Sequence, residues 1–404
     1  MLFRNCFSCA PTCSPSRAGL LTGMNPHAAG MLGLAHRGFS LKDPGQHLAQ
    51  HLKQNGYETV LCGVQHLITP GEEEKLGYEY VLEGDGLPPK DPGSNLAMAM
   101  DKRNAMAAAA YLSKPKEQPF FLSFGMNCTH FPLPDPPEDI NPDTIQPPAP
   151  LPDIPAIRLD MAGYHTLAQH ADHCVGTVLK AIREHGLEDD TLIIFTTDHG
   201  IAFPWMKCTL YDHGLGVALI LRFPKKEFAG NVVDSLVSHL DIYPTLCELT
   251  QTEKPAWLEG SSVMPLIQGT QETIRSEIYG EVTYHAAYEP MRCVRTGRYK
   301  YIRNFGDYPQ VIKANIDDSR SKRFLLDNGL MNQPHAPTEM LFDLYFDPAE
   351  RENLAGRKEF TQIKDQMAER LQRWMIETED PLLSGDVPLP SGGYANPPDD
   401  IHPS

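Results

Sequence analysis

Between residues 45 and 62, GQHLAQHLKQNGYETVLC, apolar positions recur at helical spacing as far as Gly56 and then crowd into a short string. That pattern predicts a helix, a glycine stop and a buried strand. KEQPFFLSFGMN predicts a second apolar strand ending near Asn127. From about Leu159 to His185, residues Leu167, Ala171, Cys174, Val178 and Ile182 share one helical face. DDTLIIFTTDHG is the clearest strand of the chain, a β-branched apolar run that turns polar at its C-terminal edge, and GVALILRFP repeats it. Strands alternating with helices predict an α/β fold with a large, mainly parallel central sheet flanked by helices. Ligand sites in such sheets lie beyond the carboxyl ends of the strands.

The pattern changes after about residue 275. SEIYGEVTYHAAYEPMRCVRTGRYKYIRNF reads as successive antiparallel strands with tight turns. Ile363, Met367, Leu371 and Trp374 then recur at helical spacing, which predicts a helix packed on a core. The expected organisation is an α/β domain over residues 1–275, a smaller α+β subdomain with an antiparallel sheet over 276–382, and an irregular, poorly packed tail over 383–404. Ten prolines between Pro132 and Pro155 mark a long surface loop.

Composition narrows the function. The chain has 404 residues and a net charge of −17, which argues against nucleic acid as a partner. An anionic substrate would need a local basic pocket. No apolar run approaches the ~18 residues that span a bilayer, so no membrane partner is expected. The nine scattered cysteines do not suggest a disulfide framework.

CAPTCSPSRAGLLTG, from Cys9 to Gly23, is the most specific string in the chain. Cys13-Ser14-Pro15-Ser16-Arg17, with Leu20, Thr22 and Gly23, resembles the sulfatase signature C-[ST]-P-S-R-x-x-L-x-T-G at every specified position. GVQHL at 63–67, THFP at 129–132, FTTDHG at 195–200 and KCTLYDHG at 207–214 follow in the order of the sulfatase core. LLTGMNPHAAGMLGL, DHGIAFP, EPMRCVRTGRYKYIRN and LYFDPAERENLAG look like the heparan N-sulfatase (sulfamidase) branch. The resemblance covers about residues 3–380 and implies the alkaline-phosphatase-like fold.

The resemblance implies that Cys13 is converted to formylglycine by a formylglycine-generating enzyme, and that the hydrated aldehyde is the nucleophile. It implies that Arg17 stabilises that group and a metal ligand, and that Lys207 and His130 contact the sulfate. It also implies that His66 takes a proton from the second hydroxyl of the hydrated aldehyde. Asp198 and His199 match part of a divalent-metal site, usually calcium, although histidine also suits manganese or zinc. His285 and Arg292 are expected to line the substrate pocket. The substrate implied is a sulfated sugar or other small sulfate, with N-sulfoglucosamine favoured. Alternatives are a phosphonate or phosphodiester hydrolase of the same superfamily, or an inactive sulfatase-like protein. Cys9, which lacks the following Pro-Ser-Arg, is expected to be structural. His165, His170 and His173 are read as the polar edge of an amphipathic helix rather than a metal cluster.

Two departures from the family pattern matter. Val64 stands where the motif G-K-x-H has lysine. The family also has a strand ending in two aspartates ahead of the signature, whereas Met1 lies just before it here. The expectation is a chain lacking that strand and its metal ligands, with weak metal binding and little activity.

Overall fold

The structure is a computed structural model that describes residues 1–82, 94–332 and 337–403. Short strands β1 (Leu2–Phe3) and β2 (Cys6–Phe7) precede helix α1 (Cys13–Thr22). Helix α2 (Leu48–Gln54) leads into β3 (Glu58–Gly63), followed by β4 (Tyr80–Leu82), helix α3 (Ser94–Leu112) and β5 (Phe120–Gly125). Gly56, at φ 84°, makes the turn between α2 and β3 that the sequence pattern predicts. The thirty-residue helix α4 (Pro155–Glu184) then returns the chain to β6 (Ile193–Thr196), β7 (Leu219–Arg222), β8 (Val232–Val233) and β9 (Val237–Ser238).

These strands form three groups. β3 pairs in parallel with β4 on one side and β5 on the other. β2 and β9 form a parallel pair. In the remaining sheet, of order β6-β7-β1-β8, β7 runs antiparallel to both β6 and β1, while β1 and β8 are parallel. Parallel pairing therefore holds around β3, and the two most apolar strands of the sequence oppose each other.

Alternation along β3 explains its place. Val60 and Cys62 face Ala105, Ala108 and Leu112 of α3 and Cys174, Val178 and Ile182 of α4. Leu61 points to the opposite core. The stripe on α4 is buried as its spacing predicts, except that Ala171 is half-buried. The helix starts at Pro155, a residue suited to a first helical position because it has no N–H to satisfy there. The proline-rich loop before it is irregular but packed: Ile140, Ile145 and Leu151 share a core with Ile157 and Met161 of α4 and with Phe203 and Met206.

In the C-terminal part, β10 (Glu277–Tyr284), β11 (Tyr288–Thr296), β12 (Tyr299–Asn304) and β13 (Glu339–Asp343) form an antiparallel sheet in sequence order. Helix α5 (Thr361–Glu377) buries Met367, Leu371 and Trp374 against it. Each such side chain contributes about 1.5–3 kcal/mol. The same core contains Ala18 of α1, Met31 and Leu61, so apolar packing runs continuously across residue 275. The tail is irregular yet packed, unlike the expectation. Val387 is buried and accepts a 2.7 Å hydrogen bond from the Tyr284 hydroxyl, and the Asn396 amide donates to Ala286 O at 2.7 Å.

Candidate active site

Cys13 is the first residue of α1, and the polar residues after it each hold a different piece of the surrounding chain. Cys13, Ser16 and Arg17 stand at i, i+3 and i+4 and so share one face of the helix. Ser16 Oγ donates to Asp198 O, and Arg17 Nε donates to Asp198 Oδ2 at 3.2 Å. Arg17 also reaches Val64 O at 3.3 Å. Ser14 Oγ donates to His66 O at 2.7 Å and accepts from the Ala35 amide at 3.1 Å. Gly23 ends the helix at φ 69°, a conformation that favours glycine.

The Cys13 thiol is 6% exposed, and its Sγ lies 3.3 Å from His199 Nε2. Burial pushes this thiol up, but Lys207 and His199 nearby, with hydrogen bonds from His130 and His199, hold it well below the ordinary thiol range. His199 is raised to about 9 despite burial, because Asp198 and the Cys13 thiolate favour its cation. Each group thus favours the charged form of the other. Cys9, four residues earlier, is fully buried, and burial together with Glu281 pushes its thiol well above the ordinary range. Only the cysteine at the helix start is activated.

Lys207 is 4% exposed, yet burial does not discharge it. Its Nζ donates to Asp317 Oδ2 at 2.9 Å, and Asp317 and Cys13 hold its pKa above the usual lysine value. The Cys208 amide donates to Pro11 O at 2.9 Å, which ties the lysine's turn to the chain just before the signature. His130 Nε2 lies 3.4 Å from Lys207 Nζ, and its hydrogen bond to Cys13 raises its pKa against the effect of burial. Buried Asp101 of α3 braces the approach to His130 by accepting from the amides of Asn127 and Cys128, each at 2.8 Å.

His285 is also brought to this cluster. Burial and the neighbouring Lys207 depress its pKa to about 3, so it is neutral, and its buried Nδ1 has no hydrogen-bond partner. His66, at φ 59°, lies beside His36, whose Nδ1 is 3.1 Å from His66 Nε2. Arg292 is not part of the site. It is fully buried, and its Nε donates to Asp380 Oδ2 at 2.6 Å while an ion pair reaches Glu281 at 3.4 Å. The substrate-contact expectation for Arg292 is therefore replaced by a structural role. His170 and His173 bond to the carbonyls of Met98 and Gln169, consistent with a helix edge.

Sequence reasoning missed Asp317, His36 and Asp101. None lies in a motif of its own; each acquires a role only through packing.

Among the described residues, Cys13, Asp198 and His199 are the group whose donor atoms could share a metal ion, all lying within 4.8 Å of one another. A carboxylate oxygen, an imidazole and the group at position 13 fit a divalent cation. They do not by themselves supply the ~6–8 oxygens calcium prefers. Around them, Lys207 and Arg17 make a basic pocket in an acidic protein, the local charge an anionic substrate needs.

Comparison with known proteins identifies what the chain is similar to. The sulfatase family profile matches residues 1–252, and the profile for the C-terminal part of N-sulphoglucosamine sulphohydrolase matches residues 199–319. Human N-sulphoglucosamine sulphohydrolase is 28% identical over 434 residues, covering 95% of this chain and 84% of that protein. An ulvan-active sulfatase of Formosa agariphila is 28% identical, covering 96% of this chain and 76% of its own. A solved structure in complex with its substrate, D-glucosamine-2-N,6-O-disulfate, superposes with a TM-score of 0.68 at 18% identity, covering 94% of this chain and 91% of that one. At that identity the likeness is one of fold.

Proposed function

This chain belongs to the sulfatase family, and from that premise we propose how its residues divide the work of hydrolysing a sulfate ester or sulfamate. The observation that carries the reading is the place of Cys13 at the start of α1, 3.3 Å from His199 and grouped with Lys207, His130 and Arg17. In this family a divalent metal and a formylglycine at the signature cysteine supply a nucleophilic hydroxyl, together with a second hydroxyl whose deprotonation releases the sulfate.

This chain's own residues bind and move protons around that group. Lys207 and His130 would hold the sulfate oxygens, and Lys207 would give a proton to the leaving oxygen or nitrogen. Asp317 keeps Lys207 charged and in place between turnovers. His66 would accept a proton through Nδ1, the ring nitrogen turned away from His36 Nδ1 in their 3.1 Å contact. Arg17 orients the carboxylate of Asp198, which with His199 would hold the metal. That donor pair suits manganese or zinc as well as the calcium usual in the family. His285, neutral and with a bare Nδ1, would hydrogen-bond the substrate.

The favoured substrate is a sulfated sugar of the N-sulfoglucosamine type, supported by the relatives named above. The Asp198–His199 pair also favours a second reading, a phosphonate or phosphodiester hydrolase. The test is to produce the protein alongside a formylglycine-generating enzyme and weigh the Cys13 peptide, expected ~18 Da lighter than the thiol form. The same protein is then assayed on N-sulfoglucosamine, O-sulfated sugars, aryl sulfates and phosphodiesters. An unmodified peptide, or turnover confined to phosphodiesters, would refute the assignment.

A further inference from the structure

We propose that His36 is a positioning residue for His66: it accepts the Nε2 proton of His66, which leaves Nδ1 as the basic nitrogen and steadies the cation formed when that nitrogen takes up a proton. The inference rests on the proposed role of His66 and adds a partner that no signature motif contains. His36 Nδ1 and His66 Nε2 lie 3.1 Å apart. The two ring planes differ by only 3°, with centroids 5.3 Å apart. A nitrogen–nitrogen contact that short between nearly parallel rings describes an in-plane N–H···N bond, edge to edge, rather than face-to-face stacking. Such a bond holds one proton, so one ring donates and the other accepts.

The backbone fixes the pair before any substrate arrives. One hydroxyl, Ser14 Oγ, donates to His66 O and accepts from the Ala35 amide, so the residue after the nucleophile anchors both histidine-bearing segments. The neighbouring Arg37 is buried, and its Nη1 donates to Ala286 O and Asn396 Oδ1, each at 3.1 Å. His66 is half-buried and His36 exposed, so the acceptor is the outer ring. The charged and titratable groups facing His36 are His66, Arg37, Cys13 and Lys207. Burial first, then His66 and Arg37, lower its pKa, so near neutral pH His36 has a lone pair to offer. The proton step balances simply: His66 Nδ1 gains the proton released at position 13, and His66 keeps its Nε2 proton in the bond to His36. No electrons change hands.

The test reads the tautomer directly. Histidine-labelled protein with unmodified Cys13 is followed by long-range nitrogen–hydrogen NMR, with signals assigned by His36→Ala and His66→Ala variants. In the wild type, His66 is expected to show a protonated Nε2 and a bare Nδ1. In His36→Ala it is expected to populate both tautomers. His36→Gln, whose amide oxygen accepts a hydrogen bond, is expected to restore the wild-type pattern. In matured enzyme, His36→Ala is expected to lower kcat on the order of tenfold with little change in KM, and Gln to recover most of it. Identical His66 signals in wild type and His36→Ala overturn the proposal, as does a kcat loss that Gln does not repair. Wild-type protein that hydrolyses no sulfate refutes the function instead, and the tautomer measurement still decides the pairing.

Discussion

Lys207 and Asp317, 110 positions apart in sequence, meet at 2.9 Å in a buried ion pair beside the activated Cys13. The side chains of Lys207 and Asp317 are only 3% and 14% exposed. A carboxylate inside an anion-binding pocket competes with the substrate for the same ammonium group, and its presence argues that Lys207 needs a counterion when the pocket is empty. Asp317→Asn removes the charge and keeps the shape. Breaking a buried pair on one side costs about 3–5 kcal/mol, and the variant is expected to melt at clearly lower temperature. Added sulfate is expected to stabilise the variant more than the wild type, because the ion takes the place of the lost carboxylate. Thermal melts of both proteins over a sulfate series, with chloride as control, check this. Equal melting temperatures and equal sulfate responses would show that the pair is of no consequence.

Packing around α1 makes a second prediction. A side chain at Gly19 would place its Cβ 2.1 Å from Cys9 Sγ. Neither atom can give way, since Cys9 is fully buried and Gly19 lies within the helix. Gly19→Ala is expected to destabilise by about 1–3 kcal/mol through overpacking. Cys9→Ala in the same chain is expected to recover much of that loss, because it removes the sulfur in the way. A double-mutant cycle in urea measures the coupling. Additive losses would mean that the helix shifts to make room.

Arg292 supplies a third, which separates structure from substrate contact. Its guanidinium bonds to both oxygens of Asp380, at 2.6 and 3.1 Å, and reaches Glu281, which His27 also contacts at 2.8 Å. Arg292→Met strands two buried carboxylates and is expected to cost about 3–5 kcal/mol. Arg292→Lys is expected to rescue little, since an ammonium cannot reproduce the two-pronged contact. The KM of the folded fraction is expected to stay at the wild-type value. A raised KM with unchanged stability would return Arg292 to the substrate pocket.

The contrast between Arg292 and Lys207 shows what the sequence makes legible. Leu167, Cys174, Val178 and Ile182 announce their helix because burial of one face imposes a period on the chain itself. The signature around Cys13 is equally plain, because Ser14, Ser16 and Arg17 must stand at fixed positions within one helical turn to reach His66, Asp198 and Val64. The antiparallel pairing of β6 with β7 is not legible, since an apolar run looks the same whichever way its neighbour points. Asp317 lies in a polar stretch that reads as solvent-facing, and only the packed fold carries it to Lys207. Arg292 sits in a strand motif beside functional strings, while its partner Asp380 is 88 positions away. Contacts between distant segments leave no local period, and these are the roles the sequence withholds.

His47 carries a pH dependence outside the site. It is fully buried at the start of α2, where Nδ1 accepts a 3.1 Å hydrogen bond from the Ala49 amide and caps the helix. Capping needs a lone pair on Nδ1, so the ring must be neutral, and burial depresses its pKa from 6.5 to about 3. The sign follows from the two values. The unfolded chain binds a proton at this residue more readily than the folded one, so its contribution to stability is complete above about pH 6.5. That contribution falls as the pH drops from there toward 3. Asn at this position caps a helix without titrating. His47→Asn is therefore expected to flatten the decline of stability between pH 6.5 and 4 relative to wild type, with the two proteins closest near neutrality. Urea midpoints measured across that range test it. Parallel curves would mean that His47 keeps the same proton in the folded and unfolded states, and that burial at the start of α2 does not govern its charge.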